Sequence, residues 1–112
     1  MTFDALDVLV VPFPFSDRDA AKRRPALVVS SPEFNRDHAQ SILAMITSAG
    51  GPRWPSDVDL ADWQAAGLTV PCRVRFKLFT LDDAMVLRRI GALSHGDAGA
   101  VRAGLARVLV VA

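Results

Sequence analysis

The chain has 112 residues, a net charge of +1, 51% apolar residues and one cysteine. That length supports one domain with a single core, spanning residues 1–112. The near-zero charge excludes a lysine-coated binder of polyanions at large, and the lone Cys72 excludes an internal disulfide or a cysteine-built zinc site.

A single cysteine fits a reducing compartment, so the predicted location is the cytoplasm. The amino-terminal stretch carries Asp4 and Asp7 without a basic region, and the longest apolar run is too short and too rich in proline to cross a bilayer. No signal peptide or membrane contact is expected. The high apolar fraction predicts burial between two copies of the chain, a homodimer.

Val8–Phe15 is apolar at both parities, which predicts a strand covered on both faces. Pro12 and Pro14 share a parity, tolerable at a sheet edge or a bulge. The polar run from Ser16 to Arg24 reads as a hairpin loop that brings Arg18, Lys22, Arg23 and Arg24 together. A second strand is predicted over Ala26–Ser30, and Ser31-Pro32 suits the start of a turn or short helix. A third strand over Ser41–Thr47 ends at Ser48 beside Gly50-Gly51-Pro52, a junction where functional side chains are often found.

Asp57–Leu60 alternates like a short strand, and Asp62–Gly67 reads as a helical turn closed by glycine. Cys72–Leu78 has the clearest period of two: Arg73, Arg75 and Lys77 on one face, Cys72, Val74, Phe76 and Leu78 on the other. Asp82-Asp83 marks an acidic turn before a last strand over Ala84–Leu93, interrupted by Arg88-Arg89. Ser94 and Asp97 approximate a capping box for a carboxy-terminal helix with the stripe Ala98, Val101, Leu105, Val108 and Ala112. Five or six strands and one helix predict a small, mostly antiparallel barrel.

Arg24 precedes Pro25, whose fixed φ also biases its neighbour towards extended geometry, so its guanidinium is either a positioned clamp for a phosphate or a solvated hairpin side chain. Arg23 would face the other way. Thr47 is either a hydroxyl donor to a phosphoryl oxygen or a β-branched residue ending a strand, with Ser48 a weaker second. Arg73, Arg75 and Lys77 form either a track for a nucleic-acid backbone or a solvated outer face. Trp54, next to Arg53, suits stacking on an unpaired base, whereas Trp63 suits the core. His38 and His95 belong to surface segments, and Cys72 points inward. Asp57, Asp59, Asp62, Asp82 and Asp83 have no histidine at ligand spacing and read as turns and solvated faces, so no metal or other cofactor is expected.

Val10-Val11-Pro12-Phe13-Pro14-Phe15 followed by Arg24-Pro25-Ala26-Leu27-Val28-Val29 resembles the opening of the MazF/PemK toxin endoribonucleases. Ile46-Thr47-Ser48 and the later Lys77–Leu81 and Arg89-Ile90-Gly91 resemble the family's continuation, PemK-like members in particular. The resemblance implies an SH3-like barrel of the MazF/CcdB kind, and metal-independent cleavage of single-stranded RNA with Arg24 and Thr47 as catalytic residues. It also implies 2′,3′-cyclic phosphate and 5′-OH ends, and a cognate antitoxin as partner. Arg18, Lys22, Arg23, Ser48, Arg53, Trp54 and Lys77 would bind the RNA, Lys77 because it falls where the family often has a polar residue facing substrate. The loop before Arg24, Arg18-Asp19-Ala20-Ala21-Lys22-Arg23, replaces the family's Gly-Ser-Glu-Gln-like segment, and Lys77-Leu78-Phe79 its Gln-Ile-Arg-like run.

Two other functions compete. One is a CcdB-like poison of a protein target such as gyrase, against which stands the absence of an aromatic residue in Val108–Ala112. The other is a non-catalytic SH3-like binding module.

Overall fold

A computed structural model describes residues 2–13 and 22–111. The elements are β1 (Asp7–Phe13), β2 (Lys22–Val28), α1 (Pro32–His38), β3 (Gln40–Ser48), β4 (Val58–Asp59), β5 (Cys72–Asp82), β6 (Arg88–Ala92) and α2 (His95–Val108). A single 3₁₀ turn, Asp83–Met85, joins β5 to β6. The strands form one antiparallel sheet in the order β4-β5-β3-β2-β1-β6, curled into a half-barrel, with α2 packed against β4 and β5. No helix among the described residues is long and apolar enough to cross a membrane.

The unbroken apolar runs of β1 and β2 follow from coverage on both faces. Val8, Leu27, Ala44, Ile46, Val74, Phe76 and Val101 belong to a larger core; Phe3, Leu9, Val11, Ala26, Val28, Leu43 and Leu81 form a second. Alternate residues of one strand therefore enter different cores. Pro12 lies past the end of the β1–β6 pairing at Val10↔Arg88, where a missing N–H leaves no ladder bond unmade.

β2 begins at Lys22, earlier than the expected Ala26, so Lys22, Arg23 and Arg24 belong to the strand and not to the loop before it. β5 runs on to Asp82, and Arg88-Arg89 opens β6 instead of interrupting a longer strand. Ser31 caps α1 by accepting from the Phe34 N–H. Buried Asn35 ties this corner together, accepting from the Ser30 hydroxyl and donating to the Phe3 carbonyl at 2.7 Å.

Candidate functional site

The β2–β3 ladder begins at Ala26↔Met45. Pro25 has no N–H to extend it, so the two strands part just before that pair. Carrying the register on sets Arg24 opposite Thr47, and a hollow of about 250 Å³ opens there, bordered by Arg24, Pro25, Ile46, Thr47, Ser48 and Cys72. A second hollow of about 250 Å³ adjoins it, bordered by Val10, Arg23, Arg24, Pro25, Arg88 and Ile90. Leu68 and Thr69 border both.

The segment carrying Leu68 and Thr69 is fastened at two points. Asp97 accepts from the Ala61 and Asp62 N–H groups at 3.0 and 2.8 Å, holding the start of the turn to α2. Gly67 adopts φ +90°, and a Cβ there would collide with the Ile90 carbonyl of β6. Gly91 meets Ala66 as closely from the other side. Two glycines thus let the turn and β6 touch backbone to backbone.

The β1–β6 register slips between Val8↔Gly91 and Leu9↔Arg89, leaving Ile90 as an extra residue. The two neighbouring arginines have different fates. Arg89 forms a 2.9 Å ion pair with Asp7, whereas Arg88 borders the hollow with Arg23 and Arg24. None of those three has an ion pair among the described residues. Cys72 is buried, which pushes its thiol pKa up and keeps it protonated near neutrality.

A separate cluster surrounds Trp54. Asp57, whose side chain is fully buried, accepts two hydrogen bonds from Arg75, at 3.1 and 2.8 Å, and one from the Trp54 N–H. The Arg75 guanidinium lies 4.7 Å and the Lys77 ammonium 5.6 Å from the Trp54 ring centroid. Arg53 pairs with Asp59 at 2.7 Å.

The fold thus brings Arg23, Arg24, Thr47 and Ser48 to one cleft and puts Arg53, Trp54 and Lys77 in another group. Lys22, exposed at the end of β2, borders neither hollow, and Arg18 lies outside the described residues. Arg23 and Arg24 both border the hollow with Arg88, and only Arg24 borders the one with Thr47.

Of the Arg73–Arg75–Lys77 face only Lys77 is exposed; for Arg73 and Arg75 neither reading holds. Arg73 is buried and donates to the Ala49 and Gly51 carbonyls, and Arg75 is held by Asp57 and the Pro52 carbonyl. Both fasten the β3–β4 connection. Asp57, expected in a solvated turn, is the buried counter-charge of Arg75, and Arg73 pairs with Asp59 at 3.3 Å. Asp97 does not complete a capping box: Ser94 accepts from its N–H, and its carboxylate serves the turn instead. No sequence pattern marks Thr69 or Arg88, since only the curl of the sheet carries them to Arg24.

The fold matches those of solved structures. The chain superposes on MazF from Deinococcus radiodurans at 22% identity with a TM-score of 0.73, covering 96% of both chains. A MazE-MazF structure from the same organism matches at 19% identity and TM-score 0.76, again over 96% of both chains. An endoribonuclease in complex with its cognate antitoxin, from a mycobacterial species, matches at 16% identity and TM-score 0.73, over 95% of this chain and 91% of that one. These likenesses define the class of fold, a MazF half-barrel. No curated protein gave a significant sequence match. A family model described as "PemK-like, MazF-like toxin of type II toxin-antitoxin system" matches residues 4–109. The chain belongs to that family of toxins.

Proposed function

We propose that this toxin is an endoribonuclease that cuts single-stranded RNA without a metal ion. The observation that carries the reading is the shared hollow of Arg24 and Thr47, which both border where strands β2 and β3 part. The ribose 2′-OH gives up its proton to solvent as its oxygen attacks the adjacent phosphorus, and the bond to the 5′-oxygen breaks as that oxygen takes a proton from solvent. Arg24 holds the non-bridging oxygens as charge builds on them, and Thr47 donates a further hydrogen bond. The products carry a 2′,3′-cyclic phosphate and a 5′-OH.

Ser48 and Arg23 extend the RNA contact, and the Trp54 ring, 40% exposed and held by Arg75, offers a stacking surface. Two copies form the working unit. A cognate antitoxin covers the cleft, as suggested by the antitoxin-bound and MazE-bound structures of the same fold.

The test is incubation of mixed-sequence RNA with the protein in excess EDTA, beside Arg24→Ala and Thr47→Ala. Cutting by the parent alone, with cyclic phosphate ends, is expected. RNA bound and left whole would favour a binding module, and no RNA contact at all a protein-directed poison.

A further inference from the structure

We propose that Arg88 and Arg23 form a second phosphate site, which grips the backbone phosphate next to the one held by Arg24. This inference rests on the RNA-cleaving reading and assigns a role to the hollow that Thr47 does not border.

Three exposed arginines from two strands that flank β1 converge on a concavity of about 250 Å³. None of them has an ion pair among the described residues. Like charges gathered around a cavity repel one another and are stabilised by an anion within it. Guanidinium forks suit phosphate oxygens, which they meet in pairs.

The placement of Arg88 depends on features that are otherwise unused. The bulge at Ile90 resets the register of Arg88 and Arg89 together, and strand alternation then parts Arg88 from Arg89, whose charge is taken by Asp7. The close approach of Gly67 and Gly91 fixes the turn that leads into Leu68 and Thr69, which border both hollows. Arg24 borders both, so a strand whose scissile phosphate sits on Arg24 continues into the hollow of Arg23 and Arg88. A carboxylate-rich protein segment would also meet three arginines; the regular phosphates of an RNA backbone favour a strand that runs from one hollow into the other.

The experiment measures binding of uncleavable, fully 2′-O-methylated mixed-sequence RNA across a salt series, for the parent, Arg24→Ala, Arg88→Ala and the double variant. Each phosphate that the protein no longer grips lowers the slope of log Kd against log salt by about 0.7. Arg88→Ala is expected to lower it by that amount and the double variant by twice as much, with Arg88→Lys keeping the parent slope. On cleavable RNA, Arg88→Ala raises KM roughly tenfold and leaves kcat unchanged, whereas Arg24→Ala lowers kcat as well.

An unchanged slope for Arg88→Ala overturns the proposal. So does a double variant equal to Arg24→Ala alone, because both arginines would then hold one phosphate, and so does an effect confined to antitoxin binding. Failure of the parent to cut RNA would instead sink the ribonuclease reading, while the binding series still decides whether two phosphates are held.

Discussion

Arg24 and Arg75, both cations in strands, differ in what surrounds them. Arg75 shares two hydrogen bonds with a carboxylate that has no exposure; Arg24 is exposed at the boundary of two hollows. Removing Arg24 should therefore cost chemistry and not stability. Arg24→Ala is expected to cut kcat by about 10²–10³, the usual loss for one donor to a developing oxyanion, with Tm unchanged.

Asp57 shows the opposite case. The Arg75 hydrogen bond, helped by the Trp54 N–H and opposed by burial, holds its pKa below the ordinary 3.8. A carboxylate with a depressed folded pKa adds stability that is complete above its unfolded value and is lost as pH falls through the folded one. Asp57→Asn should lower stability at neutral pH, because the Arg75 guanidinium loses its charged partner. Melting curves across pH should show the gap between parent and variant closing below 3.8; a gap independent of pH would mean that the pair contributes nothing through its charge.

At the scale of elements, the glycines of α2 separate propensity from packing. Alanine is favoured over glycine inside a helix by about 1 kcal/mol. At Gly99 nothing lies within 4 Å of an added Cβ, so Gly99→Ala should raise Tm. At Gly104 the same atom would lie 2.9 Å from the Phe76 ring and 3.0 Å from Val58. Overpacking of that kind costs about 1–3 kcal/mol and exceeds the helical gain. Gly104→Ala should therefore lower Tm, and calorimetry on the two variants would show opposite signs if α2 packs as described. The clasp between the 61–67 turn and β6 is less tolerant, because Gly67 combines positive φ with a backbone in contact. Gly67→Ala should lose about 2 kcal/mol or more and weaken RNA binding, since the wall shared by both hollows shifts with it.

The whole molecule has two cores, one on each face of a curled sheet, and neither closes completely over its neighbourhood. Met85 and Leu87 are 41% and 47% exposed beside a hollow bordered by Phe3 and Val86, and Leu109, Val110 and Val111 are also uncovered. Apolar surface left open on so small a domain favours association. Light scattering is expected to give twice the mass of one chain, and Leu87→Glu to shift that value towards a single chain if this face carries the contact. An unshifted dimer would place the interface elsewhere.

What the linear order of residues determined is largely local. Alternation marked the strands, because side chains in extended backbone face opposite ways at every step. Ser31 and Ser94 marked the helix starts through their hydroxyls. The tertiary structure decided which cations are free. Period two set Arg73, Arg75 and Lys77 on one face, but only the returning β3–β4 connection, with its carbonyls and Asp57, made the first two structural. Likewise the pairing of Arg24 with Thr47 was legible only through family resemblance, and Arg88 and Thr69 not at all. Their proximity is created by a missing N–H at Pro25, a bulge at Ile90 and a glycine contact between distant segments. Such effects depend on where other strands lie, and no local pattern of side chains encodes that.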